Sequence, residues 1–331
     1  MTDIFLYEVF EEEEHLLRQL CPPGLDFAST PATIQESGHE LPPAPVISIR
    51  TQSVIPPHWI DRVQAVLSRS AGYDHLLPVH SASGGKIRCG YLPRYCVRAV
   101  AEQAALLWMS LLRKLPLQTV AFSTFHRNGL TGLECAAKTL LVVGVGNIGS
   151  EIVRLGRALG MKVLGVDIVR RFRRVRYVEF ARGLPRAHVV VAAMNLTVEN
   201  RGFFSYARMK HARPGTVFVN VARGELSPTA DLLRLLEEGI LGGVALDVYE
   251  NEPSIARVLR KSGDLNDPRL PPALRRLAQQ HPNVLLTPHN AFNTVEAVTN
   301  KARHTIAQIL HYRRHHRFKW EIPRSLLSKN I

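Results

Sequence analysis

Short apolar runs punctuate the second half of the chain, separated by stretches with a different rhythm. Residues 139–143, 162–167, 188–194, 216–221, 243–248 and 284–287 are each too short for a helix and rich in Val or Leu. Strands of a parallel sheet, covered on both faces, have this composition. Between them, 148–159 and 229–238 repeat apolar residues at helical spacing. Strand and helix alternating over about 150 residues predict a doubly wound α/β domain.

The first half reads less regularly. Ile4-Phe-Leu-Tyr is strand-like, Glu11 to Leu20 forms an acidic helix, and 21–45 shows no period and reads as loop. Val46-Ile-Ser-Ile-Arg50 alternates as a strand does, and 57–67 reads as a helix beginning at paired prolines. With 331 residues the chain exceeds what one core serves economically, roughly 250–300, so two domains are expected.

Gly144-Val-Gly146-Asn147-Ile148-Gly149 has the G-x-G-x-x-G spacing, with a predicted strand before it and a predicted helix after it. The first glycine permits a tight turn, the second lets backbone approach a pyrophosphate, and the third lets helix and strand pack. Amides around Asn147 and Ile148 would face the phosphates. Asp167 closes the next strand, where an acid grips the adenosine ribose hydroxyls. That acid favours NAD, although Arg170 and Arg171 follow closely enough to take a 2′-phosphate, which leaves NADP open.

Three further segments lie at predicted strand ends: Asn220-Val-Ala-Arg-Gly224, Asp247-Val-Tyr-Glu-Asn-Glu252 and Thr287-Pro-His289-Asn-Ala-Phe292. Open α/β sheets bind ligands along that edge. Arg223, Glu252 and His289 are therefore candidates to converge on one site.

Taken in order, these motifs resemble the D-isomer-specific 2-hydroxyacid dehydrogenases, most closely their D-lactate-dehydrogenase-like branch. The resemblance implies two Rossmann-like doubly wound domains, the NAD-binding one (108–292) inserted into a discontinuous substrate domain (1–107 and 293–331). It also implies a homodimer. Arg223 would bind substrate, with Glu252 and His289 as the acid/base dyad and Asp247 on the nicotinamide amide. Asn195, Asn200, Val221 and Ala222 fall at further cofactor positions. Ala71 and Gly72, within Arg69-Ser-Ala-Gly-Tyr-Asp74, match a loop that holds the substrate carboxylate. Tyr95 and Phe292 match substrate-pocket aromatics, though each also reads as core packing.

The chemistry agrees with these implied roles. A planar guanidinium can bond the carboxylate and ketone of a 2-keto acid together and stabilise charge growing on the ketone oxygen. An imidazole paired with a carboxylate can give that oxygen a proton and take it back. A small 2-keto or 2-hydroxy acid is the expected partner, and no metal is called for. The sequence departs from the family in four places. Gln103 replaces a histidine, Asn195 a proline and His188 an acid, and residues 253–283 are longer than the usual connection.

Charge adds one complication. The 42 Lys plus Arg against 28 Asp plus Glu give +14, concentrated in Arg170–Arg176 and 311–317. No interleaved aromatic platform accompanies these runs, so nucleic-acid binding is disfavoured against attraction of a small anion. A dinucleotide-sensing, corepressor-like protein of the same fold is the rival reading. No apolar run approaches ~18 residues, the opening residues are acidic, and the four cysteines lack a C-x-x-C pair. A cytoplasmic location without a membrane anchor is expected.

Overall fold

A computed structural model describes residues 3–280 and 282–323 of the protein. The chain divides into Met1–Cys96 with Asn293–Ile331, and Val97–Phe292. The expected reach of the first unit to residue 331 runs over 324–331, outside the described residues. The division falls at Cys96/Val97 instead of 107/108 because Val97–Leu112 is one unbroken helix, buried along one side against elements of the second unit.

The first unit carries five parallel strands: β1 (Ile4–Leu6), β2 (Phe27–Ser29), β3 (Val46–Ile49), β4 (Ala65–Ser68) and β5 (Arg88–Gly90). Their order is β2-β1-β3-β4-β5. Every residue of β3 and β4 is buried, as central strands of a doubly covered sheet require. The expected helix over 57–67 does not form. Only Pro57–Trp59 turns as a 3₁₀ helix, and Ala65–Ser68 is β4. Trp59, Val63, Val66 and Leu67 have the i, i+4, i+7, i+8 spacing of a helical stripe, yet all four enter the core from a turn and a strand. Within the supposed loop 21–45, β2 forms, followed by a one-turn helix (Ile34–Ser37) with a Thr33/Glu36 capping box.

The second unit carries β6 (Thr139–Val143), β7 (Lys162–Val166), β8 (Arg176–Tyr177), β9 (Val189–Ala192), β10 (Thr216–Asn220), β11 (Leu241–Leu246) and β12 (Val284–Leu286). All are parallel, in the order β12-β11-β10-β9-β6-β7-β8. The chain winds from β6 to β7 and β8, then crosses back to β9 and proceeds the other way. The reversal lies between β6 and β9, the position at which open parallel sheets bind ligands beyond the carboxyl ends of their strands. Six of these seven strands coincide with the apolar runs; the two-residue β8, at the edge, gives no such signal. Leu141, Val143, Val190, Phe204, Phe218 and Leu232 belong to the core of this unit. Both units are thus Rossmann-like doubly wound domains.

Arg69, at the end of β4, is fully buried and organises the first unit. Its Nε donates to Glu13 Oε1 at 2.9 Å, its Nη1 to Ser48 Oγ at 3.0 Å, and its Nη2 to the Tyr7 and Glu8 carbonyls. Lys301 Nζ, from the helix Val295–His315, meets Glu13 Oε2 at 2.8 Å and lies over the Phe10 ring. One acid thus serves two buried cations and joins three strand ends to two helices. Burial pushes the Lys301 amine down to about 7 against the opposing pull of Glu13.

Glu13→Gln leaves two buried cations without their anion, and a loss of about 3–5 kcal/mol is expected. Lys301→Met keeps the Glu13–Arg69 pair and is expected to be near neutral at pH 7. Between about 7 and 10.5 the unfolded chain holds a Lys301 proton that the folded chain has shed. This residue's contribution to stability therefore rises with pH across that window. Urea unfolding at pH 7 and 9 checks both points. A loss below about 1 kcal/mol for Glu13→Gln, or the same pH slope in Lys301→Met as in the parent, would contradict this account.

Candidate active site

The glycine turn joins β6 to the helix Asn147–Ala158 at the reversal point of the second sheet. Its three glycines answer three different constraints. Gly144 adopts φ +93°, and a Cβ there would stand 2.4 Å from Met194 Cα on the neighbouring crossover. At Gly149 a Cβ would meet the Gly144 carbonyl at 1.9 Å, so the helix can approach the turn only without a side chain. Nothing lies within 4 Å of the corresponding position at Gly146. That space is open, and the helix begins there without a side-chain cap. Asp167 follows β7; its Oδ2 accepts from the Val145 amide at 2.6 Å and its Oδ1 from the Val169 amide at 2.8 Å. Asn200 braces the turn after β9, donating to the Asn195 carbonyl and accepting from the Thr197 amide.

Beyond β10, the fully buried Asn220 shapes the turn that carries Val221, Ala222 and Arg223. Its Nδ2 donates to the Arg223 carbonyl and Ser227 Oγ, both at 2.8 Å, and its Oδ1 accepts from the Ala222 amide. A Cβ on Gly224 would lie 1.9 Å from the Tyr249 carbonyl carbon. This contact draws the β10 turn against the loop after β11, and with it brings Arg223 towards Glu252.

Asp247, at the end of β11, is 1% exposed. Its Oδ1 accepts from Thr287 Oγ1 at 2.6 Å and the Asn290 amide at 2.8 Å, and its Oδ2 from the Ala291 amide at 2.9 Å. Burial pushes this carboxyl up, against the pull of the Thr287 hydroxyl, His289 and the two amides. The Tyr249 hydroxyl bonds the Leu246 and Thr287 carbonyls, tying the ends of β11 and β12 together. Between these anchors His289 is held at φ 50°, a left-handed conformation costly for a side chain of its size. Its Nδ1 lies 2.7 Å from Glu252 Oε1, with the side chains 21% and 16% exposed. Glu252 opens the helix Glu252–Ser262, where the helix dipole favours an anion. Burial pushes its carboxyl up, but the His289 hydrogen bond and charge, with Arg223 behind them, leave it below its ordinary value.

The NAD-binding-domain model of the D-isomer specific 2-hydroxyacid dehydrogenases matches residues 106–291, more than half of the chain. The protein belongs to the D-isomer specific 2-hydroxyacid dehydrogenase family. It is 32% identical over 254 residues to a 2-hydroxyacid dehydrogenase homolog of Haemophilus influenzae, covering 75% of each chain. It is 30% identical over 253 residues to a D-lactate dehydrogenase of Escherichia coli, again covering 75% of each. In fold it is similar to D-lactate dehydrogenase of Aquifex aeolicus, solved with NAD and lactic acid. That likeness has a TM-score of 0.81 at 24% identity, over 94% of this chain and 96% of the other.

Membership makes the protein an NAD-dependent oxidoreductase of D-2-hydroxy acids and their 2-keto counterparts. The open space at Gly146, the uncapped helix start and the Asp167 carboxylate fit a dinucleotide. Arg223, Glu252 and His289, from three strand-end loops, come together in the second unit. Phe292 is buried beside them in sequence. Ala71 and Gly72 follow β4 in the first unit, where the Gly72 carbonyl accepts from Ser70 Oγ. Tyr95 is buried in that unit. Asn220, Gly224 and Tyr249 were not singled out from the sequence, although all three lie in the quoted segments; only packing reveals what they do. The long connection 253–283 holds the helices Glu252–Ser262 and Pro272–Gln280, with His281 outside the described residues. No helix among the described residues is long and apolar enough to cross a membrane.

Asp247→Asn keeps the shape but replaces one acceptor with a donor, so an amide of the His289 loop loses its partner. Amide exchange at Asn290 and Ala291 is expected to accelerate about tenfold or more. Unchanged protection would show that other contacts hold the loop.

Proposed function

We propose that the protein reduces a small 2-keto acid to the D-2-hydroxy acid, and runs the reverse oxidation, with Arg223, Glu252 and His289 as its working side chains. When bound, the nicotinamide supplies the hydride for reduction and receives it in oxidation. The Arg223 guanidinium bonds the substrate's carboxylate and ketone oxygens and stabilises the charge that develops on the latter. His289 Nδ1 faces Glu252, so the exchangeable proton is held on Nε2 and passes to the ketone oxygen as the C–H bond forms. In oxidation Nε2 takes that proton from the hydroxyl. Glu252, 2.7 Å from Nδ1, keeps the ring in one orientation.

The observation that carries this reading is the 2.7 Å His289–Glu252 contact beside Arg223. A protein that only senses dinucleotides has no use for such a pair. Asn147, Ile148, Asp167, Asn195, Asn200, Val221 and Ala222 are assigned to the dinucleotide. Asp247 is assigned to the nicotinamide amide in addition to its hold on the His289 loop. In purified protein, NADH absorbance is expected to fall on addition of members of a 2-keto-acid panel. His289→Ala should lower kcat about a hundredfold or more while NADH still binds. Arg223→Lys should raise KM and lower kcat together, because the two-pronged contact is lost. Normal kinetics in either variant would remove that residue from the mechanism.

The protein also pairs with a second copy of itself in this reading. Leu115, Val120, Phe122, Phe125 and Leu133 are all exposed within one short stretch of the second unit, which supports an apolar interface there. Light scattering is expected to give twice the chain mass, and Phe122→Asp with Phe125→Asp to give the single-chain mass; a monomeric parent would refute it. A cytoplasmic location fits four cysteines of which none forms a disulfide.

A further inference from the structure

The edge of the second sheet carries a charge that the reaction does not use. Between Asp167 and Tyr177 the chain places Arg170, Arg171, Arg173, Arg174 and Arg176, with Asp167 as the one acid. All five arginine side chains are exposed, and among the described residues none pairs with a carboxylate. Elsewhere in this unit Arg98, Arg154, Arg234, Arg269 and Arg276 each have an acid partner. Leaving five like charges together costs self-repulsion, which a bound polyanion would relieve.

The segment is also built to stay where it is. Val175 is buried against Gly165 of β7, and a Cβ on that glycine would come within 2.6 Å of it. The Phe172 amide donates to Tyr177 Oη at 3.3 Å, and Arg157 bonds the Arg174 carbonyl. At the start of the loop, Asp167 Oδ1 accepts from the Val169 amide, and the Arg171 amide returns to the Val169 carbonyl at 2.9 Å. This tight turn puts Arg170 at its tip, three residues past the acid expected to meet the ribose. Both Asp167 oxygens already accept a backbone amide, so part of their charge is spent within the protein. Ile168 is 100% exposed and Val169 is 55% exposed, an apolar surface at the strand end suited to a purine face.

We infer that this loop lets the dinucleotide site accept a 2′-phosphate, with Arg170 and Arg171 as its ligands, so that the chain binds NADP(H) as well as NAD(H). The inference rests on the dinucleotide site proposed above. Guanidinium groups bond phosphate oxygens in pairs, and an arginine just past this strand is what a 2′-phosphate requires. A single carboxylate, braced by two amides, stands against two unpaired cations within four residues.

Isothermal titration with 2′,5′-ADP and 3′,5′-ADP separates position from total charge, since the two ligands carry the same phosphates. The 2′ isomer is expected to bind about tenfold tighter, with the preference shrinking as salt rises from about 50 to 300 mM. NADPH is expected to bind within about tenfold of NADH. In the Arg170→Ala, Arg171→Ala double variant the NADPH-to-NADH affinity ratio is expected to fall at least about tenfold. Equal binding of the two isomers would show attraction by net charge alone and overturn the inference. So would equal weakening of both dinucleotides by the double variant. If NADH binds and NADPH does not, the 2′-phosphate site is refuted while the dinucleotide site stands; if neither binds, both fall.

Discussion

Everything at the candidate site depends on one buried carboxylate holding one strained loop. Asp247 lies at the end of a central strand, out of water, and uses its two oxygens on the Thr287 hydroxyl and the amides of Asn290 and Ala291. Each such charge-assisted bond contributes about 1.5–3 kcal/mol net. Holding His289 in the left-handed region costs about 1–2 kcal/mol. The bonds win, and the result is an imidazole whose Nδ1 meets Glu252 at a defined distance. Without that grip the loop after β12 would relax, and the pair would be an accident of two mobile side chains.

The same sheet explains why the residues that meet are so far apart in the chain. Parallel strands all present their carboxyl ends at one edge, so the loops after β10, β11 and β12 are neighbours although their residues are scattered. Gly224 then sets how near two of those loops can come, through a contact that no other residue allows. This geometry was readable in outline: apolar runs marked six strands, and motifs at the ends of five of them pointed to one edge. What could not be read was the cement. Asn220 and Tyr249 look like ordinary polar residues in sequence, and their hydrogen bonds exist only once three strand ends are side by side.

The first unit was harder to read for a related reason. Its strands are three or four residues long, too brief to establish a period of two, and β4 follows a turn that imitates a helical stripe. The Glu13–Arg69–Lys301 cluster was invisible for another reason. Glu13 sits in a run of four glutamates, which reads as a solvated helix face, and Lys301 lies almost at the other end of the chain. Only the packing of two helices against one strand end turns that acid inward. A charge placed there specifies how the elements come together more than it stabilises them, since desolvation consumes most of the attraction.

Charge at the sheet edge follows the opposite logic. In the first unit Arg69 and Lys301 are buried and share Glu13, so they hold structure. Beside β7 the cations are exposed and unmatched, so they hold nothing in the protein itself. A loop that needed arginines only for solubility would have no reason to be pinned by Val175, Tyr177 and Arg157. Rigid placement of unpaired cations lowers the entropy lost when an anion arrives, which is the physical signature of a surface prepared for a ligand. The Asp167 carboxylate, half committed to its own backbone, sets how much of that preparation a ribose hydroxyl or a phosphate can use.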